Sequence, residues 1–119
     1  METEYLVEVE EVRSGDDLIL LVNLGIDSLY KRIRARLYKV DTPDAYKAKP
    51  DTLAGQIREQ VRQMTRSGQC RITIQQQNKT CWVVNLFVLK EDEKISINET
   101  LISMGFVYKG NQIERLEAA

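Results

Sequence analysis

Arg36-Leu37-Tyr38-Lys39-Val40-Asp41-Thr42-Pro43-Asp44 reads as the end of a strand running into a rigid corner. The proline fixes its own φ at about −65° and stiffens the turn. One carboxylate, Asp41, stands at the strand end and a second, Asp44, follows three residues later, so both can face one cation. Arg36 sits close enough on the same strand to meet an anion beside that cation.

Upstream of the corner, Leu29 to Val40 alternates through Ile33, Ala35 and Leu37, which places Arg32, Arg34 and Arg36 together on the opposite face. Leu18 to Leu24 is apolar enough for a buried strand, and Tyr5 to Val12 alternates with Tyr5, Val7 and Val9 on one side. Turns at Ser14-Gly15-Asp16-Asp17 and Gly25-Ile26-Asp27-Ser28 link the three into a meander.

Downstream the period changes. Leu53, Ile57, Val61 and Met64 recur at helical spacing while Arg58, Glu59, Arg62 and Arg66 fill the other face. Asp51 or Thr52 can cap this helix, and Gly68 can supply a left-handed residue past its end. Gln69 to Gln75 and Thr80 to Leu89 follow as strands around Gln76-Gln77-Asn78-Lys79, and Glu91-Asp92-Glu93-Lys94 reads as a solvated connection. Ser96 to Met104 fits a second helix with Ser96 as N-cap, Glu99 completing a capping box and Gly105 ending it. Three strands, a helix, two strands and a helix predict a mainly β fold with α: a five-stranded OB-fold barrel with a helix inserted between its third and fourth strands.

A length of 119 residues with 43% apolar side chains suits one domain, with a core from about 5 to 109 and a short tail over 110–119. Seventeen basic against 18 acidic side chains leave a net charge of −1, so any hold on a polyanion must come from a local patch. The densest such patch is Lys31, Arg32, Arg34, Arg36 and Lys39, with Lys47 and Lys49 in the loop that follows. It is either a solvated strand face or a phosphate track. There is no histidine, which removes the usual general base and the commonest zinc ligand and leaves carboxylate, metal and arginine chemistry. Cys70 and Cys81 are offset in neighbouring strands and read as reduced, packed thiols. No apolar run reaches the roughly 18 residues of a spanning helix, and the acidic Met1-Glu2-Thr3-Glu4 is no export signal, so a cytoplasmic protein without a membrane partner is expected.

Taken together, Ser14-Gly15-Asp16-Asp17, the segment Arg36 to Asp44, and Asn98-Glu99-Thr100-Leu101 with Gly105 resemble the staphylococcal-nuclease-like (thermonuclease) family from about Tyr5 to Lys109. The family's corresponding motifs are Asp-Gly-Asp-Thr, Arg-x-x-x-x-Asp-Thr-Pro-Glu and Asn-Glu-x-Leu. The resemblance implies a Ca²⁺-dependent phosphodiesterase acting on DNA and RNA. It implies Asp16 and Asp41 as metal carboxylates, Thr42 as a carbonyl ligand, Arg36 as the first phosphate arginine, and Asp44 in place of the family's general-base Glu.

The departures fall on different catalytic elements. The family's second arginine, expected in the hairpin after Asn78-Lys79-Thr80-Cys81, is replaced by Trp82, and a guanidinium on a transferring phosphoryl group can be worth roughly 10³ to 10⁵ in rate. Asp44 is one methylene shorter than Glu, and Ser14 replaces the first acid of the turn. These changes point to a degenerate nuclease with weak or no turnover. Such a domain would bind single-stranded DNA or RNA, or a partner protein, across a groove bearing Arg34, Arg36, Lys79, Trp82 and Tyr108. Trp82 is then either a packing residue or a base-stacking platform. Two other readings stand beside this one: an active Ca²⁺ nuclease in which Arg34, Lys39, Lys47 or Lys79 replaces the missing arginine, and a pure protein-interaction module.

Overall fold

A computed structural model of the chain describes residues 3–26, 29–45 and 49–110. The tail read over 110–119, Lys47 and the Asp27-Ser28 half of the second turn lie outside these, apart from Gly110. Strands β1 (Tyr5–Ser14), β2 (Asp17–Asn23) and β3 (Tyr30–Leu37) form the meander, followed by helix α1 (Leu53–Arg66). Strands β4 (Gln69–Gln77), β5 (Cys81–Lys90) and β6 (Glu93–Ser96) and helix α2 (Ile97–Ser103) complete the order.

The sheet runs β3-β2-β1-β4-β5-β6, and a parallel pairing of β3 with β5 closes its first five strands into an OB-fold-like barrel. Register follows apolar alternation. Leu18, Leu20 and Val22 of β2 and Ile33, Ala35 and Leu37 of β3 point inward, beside Ile72, Trp82, Val84, Leu86 and Val88 from β4 and β5. A one-residue slip would turn every one of these outward, at about 1.5–3 kcal/mol for each large side chain.

Strand β1 pairs with β4 only over Tyr5 to Val7, and α1 packs along β1 beyond that point. Thr52 caps α1, its side chain accepting from the Gly55 amide at 3.1 Å. Ile57 and Val61 are buried and Met64 is half-buried as the spacing predicts, whereas Leu53 is 61% exposed because it opens the helix outside the barrel wall. Ser96 caps α2 through the Glu99 amide, also at 3.1 Å, and Gly105 follows in the left-handed region at φ +96°.

Two local expectations are corrected. Gly68 is not a left-handed cap: Ser67 ends α1, and Gly68 is needed because a Cβ there would come within 2.0 Å of the Leu89 carbonyl oxygen. The acidic segment after β5 is not merely a solvated connection, since the chain turns at Glu91-Asp92 and returns as β6, Lys90 pairing with Glu93. Lys94 explains the pairing, with its ammonium 4.4 Å from the Phe87 ring centroid and 2.9 Å from Glu4. Among the described residues no helix is long and apolar enough to cross a membrane.

Candidate functional site

The β1–β2 turn, the outer face of β3 and the Thr-Pro corner converge on one polar cavity of about 220 Å³, lined by Arg13, Ser14, Asp16, Asp17, Arg34, Arg36, Thr42 and Asp44. Antiparallel register brings Asp17 opposite Arg36 and Ile19 opposite Arg34, so the hairpin itself delivers acids and arginines to the same end. Gly15 makes the turn tight enough: a Cβ there would lie 2.7 Å from Ile57 Cγ2 and 2.8 Å from Thr42 Cγ2.

Within the cavity the charges pair internally. Arg34 donates a fork to Asp17, Nε to Oδ1 at 3.1 Å and Nη2 to Oδ2 at 2.9 Å. Arg36 lies between two carboxylates, Nη1 at 3.5 Å from Asp16 Oδ2 and Nη2 at 3.6 Å from Asp17 Oδ2. The hydrogen bonds that Arg34 donates to Asp17 raise the Arg34 pKa above its ordinary value, opposed by desolvation. Thr42 Oγ1 donates to Asp16 Oδ1 at 2.8 Å, and Ser14 Oγ donates to Asp44 Oδ1 at 3.5 Å while accepting from the Ala45 amide. Arg58 of α1 donates to the Ala45 carbonyl at 2.6 Å, which ties the corner to the helix.

This geometry brings together Asp16, Thr42, Asp44, Arg34 and Arg36 from the residues singled out in the sequence. Asp41 is not among them: its amide donates to the Phe106 carbonyl at 3.2 Å, and its exposed side chain lines neither this cavity nor the cleft beyond it. A calcium shell takes six to eight oxygens. One Asp16 oxygen is engaged by Thr42 and the other faces Arg36, and among the described residues no group of three or more potential ligand side chains gathers to hold a metal.

Position 82 faces the other way. Trp82 pairs with the inward-pointing Ala35 across the parallel ladder and is 7% exposed, part of the barrel core. Its ring is therefore no open platform for a base, and an arginine in its place would enter the core rather than the cavity. The β5 residues that share the arginine face are Cys81, beside Arg34, and Val83, beside Arg36. Burial pushes the Cys81 thiol pKa up, while Arg34 and Arg36 pull it down.

A second cleft of about 620 Å³ begins two residues past Arg36, lined by Tyr38, Lys39, Gln76, Val107, Tyr108, Lys109 and Gly110. It includes Tyr108 from the sequence reading but not Lys79, which lies exposed on the β4–β5 turn. Its floor is set by Lys39, held in the left-handed region at φ 61°, whose carbonyl accepts from the Tyr108 amide at 2.9 Å and whose ammonium lies 5.2 Å from the Tyr38 ring centroid. Asn98 braces the same corner from α2. It accepts from the Leu86 amide at 2.8 Å and donates to the Tyr38 and Val84 carbonyls at 3.1 Å each.

Sequence reasoning missed Arg13, Asp17, Tyr38 and Lys109. The Asp17–Arg36 pairing was available from counting hairpin register; Tyr38 and Lys109 meet only because the segment after α2 bridges back to Val40 through Val107. The sequence matches no known family and no curated protein when compared with both.

Proposed function

We propose that this chain is a catalytically degenerate member of the staphylococcal-nuclease-like group that binds the backbone of single-stranded nucleic acid without cleaving it. The observation that carries this reading is the adjacency of two arginines, Arg34 and Arg36, to a cleft whose lining, among the described residues, holds two tyrosines and two lysines and no carboxylate. A phosphate accepts bidentate hydrogen bonds from guanidinium forks, and Tyr38 follows just past the end of β3, two residues beyond Arg36. Bases then stack on Tyr38 and Tyr108, each such contact worth about 1–3 kcal/mol, while Lys39 and Lys109 meet the next phosphate. Hydrolysis is not part of the reading, because Trp82 stands where the resemblance expects the second arginine and Asp44 where it expects the general-base Glu.

A mobility-shift assay with labelled single-stranded DNA and RNA at about 50 mM salt tests this, since electrostatic binding is strong there. A shift lost in Arg34→Ala plus Arg36→Ala is the expected result; no shift with either polymer would favour a protein-interaction module.

One observation favours the rival active enzyme: Arg34 supplies a second guanidinium to the cavity in spite of Trp82. Incubation of the same oligonucleotides with Ca²⁺ or EDTA decides between them, because chelator-sensitive cleavage that disappears in Asp16→Ala would replace the binding reading with phosphodiester hydrolysis.

A further inference from the structure

We propose that Asp17 is a built-in occupant of the anion seat between Arg34 and Arg36, so that a phosphate-bearing ligand binds only by displacing it. The class of ligand rests on the reading above; the seat itself rests on geometry alone. Arg34 grips both oxygens of Asp17 in a fork, and Arg36 Nη2 faces one of the same oxygens at 3.6 Å. Two guanidiniums converging on one small anion is the arrangement that recognises a phosphate oxygen pair.

Exposure supports displacement from one side. The Asp17 side chain is 8% exposed, against 16% for Arg36 and 34% for Arg34, so the arginines are more open to solvent than the acid they hold. Arg13, Arg34 and Arg36 against Asp16, Asp17 and Asp44 leave the lining balanced in formal charge, and neutralising Asp17 alone gives the cavity an excess positive charge. A tethered carboxylate competes at an effective concentration in the millimolar range or above, which a free phosphate must overcome. Asp17 thereby sets a threshold: isolated phosphates bind weakly, and a polyanion that also engages the neighbouring cleft binds more tightly.

The test is calorimetric titration of inorganic pyrophosphate into the wild-type protein and Asp17→Asn, which keeps the shape and removes the charge. Affinity at least about tenfold higher in Asp17→Asn is expected, with the gain abolished when Arg34→Ala is added. Equal or weaker binding by folded Asp17→Asn overturns the proposal, and Asp17→Thr, suited to a strand position, serves if the amide variant does not fold. In the wild-type protein, the NMR resonance of the Arg34 Nε–H should move as pyrophosphate saturates; a resonance that stays fixed at saturation also overturns it. Parallel titration with single-stranded DNA separates the two readings. A pyrophosphate gain without DNA binding in either protein supports the seat and sinks the nucleic-acid function. DNA binding that depends on Arg34 and Arg36 but is indifferent to Asp17→Asn sinks the seat and keeps the function.

Discussion

The arginine–aspartate cavity and the tyrosine–lysine cleft adjoin the same end of β3, yet they handle charge in opposite ways. In the first, carboxylates of the β1–β2 turn and the start of β2 face arginines of β3, and the two satisfy one another. In the second, lysines stand among tyrosines with no carboxylate among the described residues of the lining. Internal pairing gives the cavity geometric definition at the cost of affinity for an outside anion, whereas in the proposed reading the cleft's lysines meet an anion with less geometric selectivity.

The comparison is broken most severely from beneath. Trp82→Arg puts a guanidinium into the core under both sites and removes a buried indole, so a loss of about 4 kcal/mol or more is expected, enough to unfold a domain of ordinary stability. Denaturant melts would show it. A stably folded Trp82→Arg with gained anion affinity would mean that position 82 reaches the cavity after all.

Next in size is the brace of the cleft. Asn98→Ala leaves the Leu86 amide and the Tyr38 and Val84 carbonyls without their side-chain partner, at roughly 1–3 kcal/mol for each group left unsatisfied. A loss of about 3 kcal/mol in urea unfolding is expected, and it should fall on the cleft, lowering oligonucleotide affinity more than pyrophosphate affinity.

Gly15→Ala is the matching lesion on the cavity side, where the added Cβ meets Ile57 and Thr42. Overpacking of about 1–3 kcal/mol is expected, with the reverse selectivity: Asp16 loses its Thr42 contact and pyrophosphate binding suffers first.

The smallest effect separates the sites by salt dependence. Lys109→Ala should weaken single-strand binding less than tenfold and reduce the slope of log K against log salt by about 0.7, the value for one phosphate contact on a single strand. An unchanged slope would remove the cleft from the binding path.

Much of the fold was legible because it rests on local patterns. Alternation in β1 to β3, the helical spacing of Ile57 and Val61, the caps at Thr52 and Ser96 and the turn at Gly105 are each written within a few residues. Strand β6 was hidden because its charged residues imitate a loop; its pairing depends on Phe87 and on Glu4 at the far end of the chain. The candidate site was half legible. The acids and arginines of the hairpin and corner could be picked out by spacing, but the orientation of Trp82 depended on which β3 residue it meets across a long-range parallel pairing.

By itself, then, the sequence determined an OB-fold-like barrel, its order of elements apart from β6, and the placing of Asp16, Thr42, Asp44, Arg34 and Arg36 at one end of it. Tertiary structure alone decided that Asp17 fills the grip of Arg34, that Asp41 lines neither cavity, and that Tyr38 and Tyr108 share a cleft. The physical reason is range. Periodicity and capping act over one or two turns of chain, while ion pairing and cavity walls depend on contacts between residues some 20 to 70 positions apart, whose register only the closed barrel sets.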